Sequence, residues 1–127
     1  MTMTRSDIVN VYLPQPSGQQ GHEQHGLRPV VIVQSDTNTF GLSTTMIVPL
    51  TGNLKASKFP YHFFVDPSQC NGLSKKSVVL VSQLRAIDKS RVGAKIGVLE
   101  SEHMRKLETE IGKLLGLCDP PKNKGTI

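Results

Sequence analysis

The chain has 127 residues, 37% of them hydrophobic, which suits one domain built on a small apolar core. No apolar run approaches the roughly 20 residues of a bilayer-crossing helix, and Met1 to Asp7 lacks the basic stretch and apolar segment of a secretory signal, so a cytoplasmic location is expected. The net charge of +5 is uneven: residues 1 to 99 hold ten Lys and Arg against five Asp and Glu, residues 100 to 127 five of each, and a basic region of this kind draws in polyanions such as nucleic acid.

Clusters of β-branched and aromatic residues set apart by turn residues predict six strands. The first is Asp7 to Leu13, where Val9, Val11 and Leu13 alternate with Asn10 and Tyr12, as in a half-buried strand. Pro14 to Leu27 follows, a Gly- and Gln-rich stretch far longer than a hairpin needs, which marks it as a functional loop or a linker. The remaining strands are Pro29 to Gln34, Thr45 to Leu50, Tyr61 to Val65, Val78 to Ser82 and Lys95 to Leu99. The unbroken apolar runs Val30 to Val33 and Val78 to Val81 are expected at central positions. Met104, Leu107, Ile111, Leu114 and Leu115 recur at helical spacing, so a final helix is expected across the sheet. Gly116 and the Pro120-Pro121 pair end it, leaving residues 118–127 as a flexible tail behind a domain of residues 1–117.

Several site types are disfavoured by spacing. His22-Glu23-Gln24-His25 has its histidines three apart in a Gly-flanked segment, whereas zinc proteases place two His one helical turn apart on a helix; with no third ligand near and no CxxC around Cys70 or Cys118, no metal site is expected. The glycines of the loop are followed by a strand and by no GK[ST], which argues against a phosphate loop or a dinucleotide turn. A GxSxG elbow is absent as well, and no cofactor is expected.

An ordered series of short matches remains. Gly21 to Pro29 reads GHEQHGLRP, followed by VVIVQSD; then come Pro49-Leu50-Thr51, VVLVSQLRAIDKSR from Val78 to Arg91, and Gly97-Val98-Leu99 ahead of the helix. In content, order and spacing, from Arg5 to Leu117, these resemble the MazF/PemK (Kid-like) toxins, whose patterns are RGD, GxEQxGxRP, PLT and QxRxxDKxR. Ser6 departs from the Gly of RGD, and Gly52 follows Thr51 where the family commonly has Ser or Thr. The resemblance implies a mainly β fold with α, an SH3-like small β-barrel (PemK/CcdB-like) with a C-terminal helix packed on the sheet. It also implies a type II toxin acting as a metal-independent, sequence-selective endoribonuclease on single-stranded RNA. It further implies a homodimer and a cognate antitoxin whose acidic segment folds as it binds.

In the chemistry so implied, a ribose 2′-OH attacks the adjacent phosphate and leaves a 2′,3′-cyclic phosphate and a 5′-OH. The enzyme supplies geometry, charge and proton movement. The resemblance puts Arg28 and Thr51 at the centre: Arg28 offers a fixed fork of donors to phosphate, Thr51 a hydroxyl. Glu23 is the residue expected to orient Arg28 or accept the 2′ proton, with His22 as a local alternative. Gln24, Gln83, Arg85 and Lys89 complete the expected RNA contacts, alongside His22. Phe40, Phe59, Tyr61 and Phe63 suit either base stacking or the core. The alternatives on the same barrel are a CcdB-like toxin that poisons DNA gyrase and a non-catalytic nucleic-acid-binding module; the loop with Arg28, together with Thr51, is not expected in the gyrase poisons, and an RNA cleavage assay separates all three.

Overall fold

Two apolar faces of one curled sheet organise the molecule, seen in a computed structural model that describes residues 3–14, 26–36 and 41–117. Strand β1 (Asp7–Leu13) pairs antiparallel with β2 (Gly26–Ile32), and β2 with β3 (Thr44–Thr51). Their register sets Ile8 beside Val31 and Val31 beside Val48, and these three join Leu50, Val79 and Leu99 in one buried cluster. The alternate residues Val9, Val11, Leu13, Val30, Ile32 and Ile47 form a second cluster on the opposite face. A strand buried on both faces reads as a continuous apolar run, which is why Val30 to Ile32 lies between two neighbours as expected.

Four more strands follow: β4 (Phe63–Val65), β5 (Ser77–Val79), β6 (Arg85–Asp88) and β7 (Val92–Val98). The order across the sheet is β4-β5-β3-β2-β1-β7, with β6 also on β3. Besides β2, strand β3 therefore serves two further partners, since Thr44 to Ile47 pair with β6 whereas Leu50 and Thr51 pair with β5. Pro49 lies at the changeover; it has no N–H to donate, and its carbonyl accepts the N–H of Leu80 at 2.9 Å. The result is the small β-barrel-like fold expected, with its sheet not fully closed and helix α1 (Ser101–Leu114) packed on it.

Met104 and Leu107 of α1 enter the first cluster, and Ile111 and Leu114 pack against it partly buried. Full burial of side chains of this size contributes about 1.5–3 kcal/mol each. Leu115 is a correction: it lies just past the last helical residue and stays exposed instead of joining the apolar face. The helix ends as the sequence signals. Gly116 takes φ +74°, its N–H reaches Lys113 O at 3.1 Å, and the N–H of Leu117 reaches Gly112 O at 2.7 Å. Pro120, Pro121 and the expected tail 118–127 lie outside the described residues.

Other boundaries move for local reasons. Tyr61 has φ +75°, which breaks the extended backbone and delays β4 to Phe63. The expected strand Val78 to Ser82 is extended only over Ser77–Val79, because Val81–Gln83 turns as a 3-10 helix and redirects the chain toward β6. Strand β6 itself escapes the hydrophobic pattern: Ile87 is its only buried residue, and backbone pairing to β3 holds it. Strand β2 opens at Gly26 (φ +82°), so Leu27 and Arg28 belong to the sheet and not to the loop before it.

Candidate active site

Arg28 is held by strand register, opposite Val11 of β1. Thr51 is the last residue of β3, nearly buried and opposite Val78 of β5. The two line one cavity of about 350 Å³, together with Asn10, Gly52, Lys75 and Ser77 among others. The N–H of Asn53 donates to Thr51 Oγ1 at 3.2 Å and orients the hydroxyl. Among the described residues no Asp or Glu lines this cavity, and the charged groups that do are two cations, Arg28 and Lys75. That arrangement favours an anion.

Thr51 also lines a second cavity of about 350 Å³, with Lys55, Phe59, His62, Ser82 and Gln83. Its rim is made by two 3-10 turns, Leu54–Lys58 and Val81–Gln83, which His62 ties together. His62 Nδ1 lies 2.9 Å from Ala56 O and Nε2 lies 2.7 Å from Ser82 Oγ. A carbonyl only accepts, so the ring proton sits on Nδ1 and Nε2 accepts from the Ser82 hydroxyl and, at 3.4 Å, from its N–H. Phe59, 62% exposed, meets the His62 ring edge-on with centroids 6.0 Å apart, leaving an aromatic face open to this cavity.

The segment carrying Lys75 is fastened by a buried polar cluster. Asn71 is fully buried; its side-chain oxygen accepts from Ser68 N and Leu73 N, both at 3.0 Å, and its amide donates to Asp66 O and to the Glu100 carboxylate. Ser68 Oγ donates to Glu100 Oε2 as well. Burial pushes the Glu100 carboxyl up, but hydrogen bonds from Ser68, its own N–H and Asn71, with the charge of His103, outweigh that and leave it below its ordinary value. Gly72, at φ +68°, lies against the Ile96 carbonyl, where a Cβ would overlap the oxygen.

Of the residues expected from sequence, Arg28, Thr51 and Gln83 come together around these cavities. Arg85, opposite Ile47 in β6, and Lys89, whose N–H donates to Ser43 O at 2.9 Å, line neither. Glu23, His22 and Gln24 lie outside the described residues, as does Phe40. Phe63 and Tyr61 pack partly buried against the core, so among the described aromatics Phe59 is the one presented to a cavity. Sequence reasoning did not single out Asn10, His62, Lys75 or Ser82. Only the glycine at 52, unusual beside the resembled pattern, hinted that something else fills that space. Among the described residues, no group of three His, Cys, Asp or Glu is placed to hold a metal ion.

Comparison with known proteins fits this geometry. Residues 4–115 match the family described as the PemK-like, MazF-like toxin of type II toxin-antitoxin system. The chain is 38% identical over 115 residues, 91% of its length, to an endoribonuclease MazF of Staphylococcus saprophyticus, covering 92% of that protein. Its fold is similar to the crystal structure of MazF from Deinococcus radiodurans, with a TM-score of 0.73 at 22% identity over 91% of this chain and 98% of that one. It is also similar to an endoribonuclease solved in complex with its cognate antitoxin from a mycobacterial species, with a TM-score of 0.69 at 20% identity over 94% and 100% of the two chains. The match does not favour the gyrase-poisoning alternative, and the chain belongs to the PemK-like, MazF-like toxins of type II toxin–antitoxin systems.

Proposed function

We propose that this toxin endoribonuclease cuts single-stranded RNA within a short recognition sequence, without a metal, using Arg28 and Thr51 at the scissile phosphate. The observation that carries the reading is the shared wall: Thr51 borders both the cationic cavity with Arg28 and the cavity with Phe59 and Gln83. The first suits a phosphate and the second an adjacent base, stacked on Phe59 and hydrogen-bonded by Gln83; splayed single-stranded bases are read in this manner.

In-line attack by the 2′-OH on its own phosphate builds charge on the phosphate oxygens. The Arg28 guanidinium, fixed by its strand, neutralises that charge with paired N–H donors, and the Thr51 hydroxyl adds another donor. Neither is a suitable base. Glu23, the match to the Glu of the family's GxEQxGxRP pattern, takes the 2′ proton or orients Arg28, with His22 as its alternate. Gln24, Arg85 and Lys89 extend the RNA contacts along the strand. The products are a 2′,3′-cyclic phosphate and a 5′-OH.

Arg28→Ala and Thr51→Ala are each expected to lower cleavage of a target RNA by about 100-fold or more, the scale for removing one oxyanion donor, with the circular dichroism spectrum unchanged. Retained activity in both variants removes this site from consideration. Replacing the 2′-OH at the cut position with hydrogen is expected to abolish cleavage there; continued cutting excludes the cyclic-phosphate route.

The partners proposed are a second copy of the chain and an antitoxin with an acidic segment lying along the cationic cavity, in the cytoplasm. The basic excess of residues 1 to 99 supports the second of these. Such an acidic peptide is expected to inhibit cleavage competitively and less so as salt rises; inhibition unaffected by salt counts against it.

A further inference from the structure

We propose that Lys75 is a second phosphate-binding cation of the active site, seated across Gly52 so that its ammonium meets the same phosphate as Arg28 and Thr51. The inference rests on the phosphate reading of the Arg28–Thr51 cavity and adds a residue to it. A Cβ built on Gly52 would overlap Lys75 Cε and stand 2.8 Å from Nζ, so the end of the lysine chain occupies the space that any side chain at position 52 would need. Gly52 directly follows Thr51, and all of Arg28, Thr51, Gly52 and Lys75 line the one cavity.

The placement is built from both sides. Ser77 Oγ donates to the Lys75 carbonyl at 3.0 Å, and the Asn71 cluster with Gly72 fixes the segment before it against β7. The neighbouring lysine behaves differently, since Lys76 Nζ lies 4.4 Å from the centre of the Phe64 ring. Lys95, Lys106 and Lys113 each have a carboxylate within 3.3 Å, whereas no carboxylate among the described residues pairs with Lys75. A cation with no carboxylate partner among the described residues, lining the same cavity as Thr51, is placed to bind an anion that comes from outside the protein.

The two cations divide the phosphate by their geometry. Guanidinium presents a planar fork to two oxygens, while ammonium is a compact charge with rotatable donors that can follow an oxygen as the phosphorus becomes five-coordinate. Lys75 makes no covalent bond and moves no proton in this role. A serine or threonine at 52, as in the resembled pattern, would displace it; glycine and lysine thus act as a pair.

The test uses the full chain, a single-stranded RNA spanning a mapped cut site, and the same RNA with 2′-deoxyribose at the cut position for binding. Lys75→Met is expected to lower kcat/KM by about 10- to 100-fold, the range for losing a charged hydrogen bond. It should also reduce the slope of log affinity against log salt by about 0.7, the value for one single-strand phosphate. Lys75→Arg is expected to restore most of both. Gly52→Ser meets only the mobile end of a side chain, so it should fold normally, lose activity like Lys75→Met, and add little to it in the double variant. Activity of Lys75→Met within about twofold of wild type, or a loss with an unchanged salt slope, overturns the proposal. Failure of the underlying phosphate reading shows separately, as full activity in Arg28→Ala.

Discussion

Ser6 carries a conformation that its residue type resists. It sits at φ +82°, its N–H donates to Ile32 O at 2.9 Å and its carbonyl accepts from Leu99 N at 2.8 Å, so both neighbouring segments hold it there. The resembled family pattern has glycine at this place, where a positive φ costs nothing. Ser6→Gly is expected to stabilise the fold by about 1 kcal/mol, read as a higher denaturation midpoint with the same slope; a lower midpoint would mean the serine side chain has a role of its own. Its neighbours are structural too. Arg5 bonds Val33 O and, at 2.7 Å, Glu108 on the helix, while Asp7 accepts from Thr4 and pairs with Lys95. At this scale, the resembled motifs pointed to Arg28 and Thr51, which line one cavity, but carried no signal for Lys75 beside them. That residue reaches the cavity because the segment from Asp66 to Leu73 folds back on itself, and nothing in the order of residues announces where the turn will lie.

The join between that segment and the start of α1 sets an acid limit on stability. The Glu100 carboxylate is held below its ordinary value of 4.5, so its folded form is favoured while it is ionised. For a depressed carboxyl, the stabilising contribution is present above the unfolded-state value and disappears as pH falls through the lower folded-state value. Unfolding followed from pH 7 to pH 2 should therefore show a weaker acid-induced loss in Glu100→Gln, which is less stable near neutrality and lacks this titration; an unchanged profile would place the acid limit elsewhere. The elements themselves were legible where burial imposes a period. Strands β1, β2 and β3 alternate or run apolar because packing on one or both faces demands it, and α1 shows its stripe and its glycine stop. Strand β6 and the 3-10 turn before it lack that signal, since they are held by backbone pairing with β3 and by the switch of partners at Pro49.

At the scale of the molecule, the cationic cavity draws on nearly the whole described chain. Asn10 comes from β1, Arg28 from β2, Thr51 from β3, Lys75 from the segment before β5, and Ile96 from β7. Sequence order scattered these residues; the antiparallel register, which sets Arg28 opposite Val11 and Asn10 opposite Pro29, gathers those on the strands, and the folded-back segment before β5 adds Lys75. Contacts so far apart along the chain require the loops between them to close, at an entropy cost that grows with their length. Synthesis consequently places a delay between making the residues proposed for catalysis and enclosing them: a ribosome that has released Arg28 and Thr51 has not yet released β7, which carries Ile96 in the wall of their cavity. A chain stopped before Val92 is expected to leave target RNA intact even though both residues are present, and cutting by such a fragment would show that the wall is dispensable. An inactive fragment would mean that a message encoding an RNA-cutting toxin is translated without the unfinished product severing it.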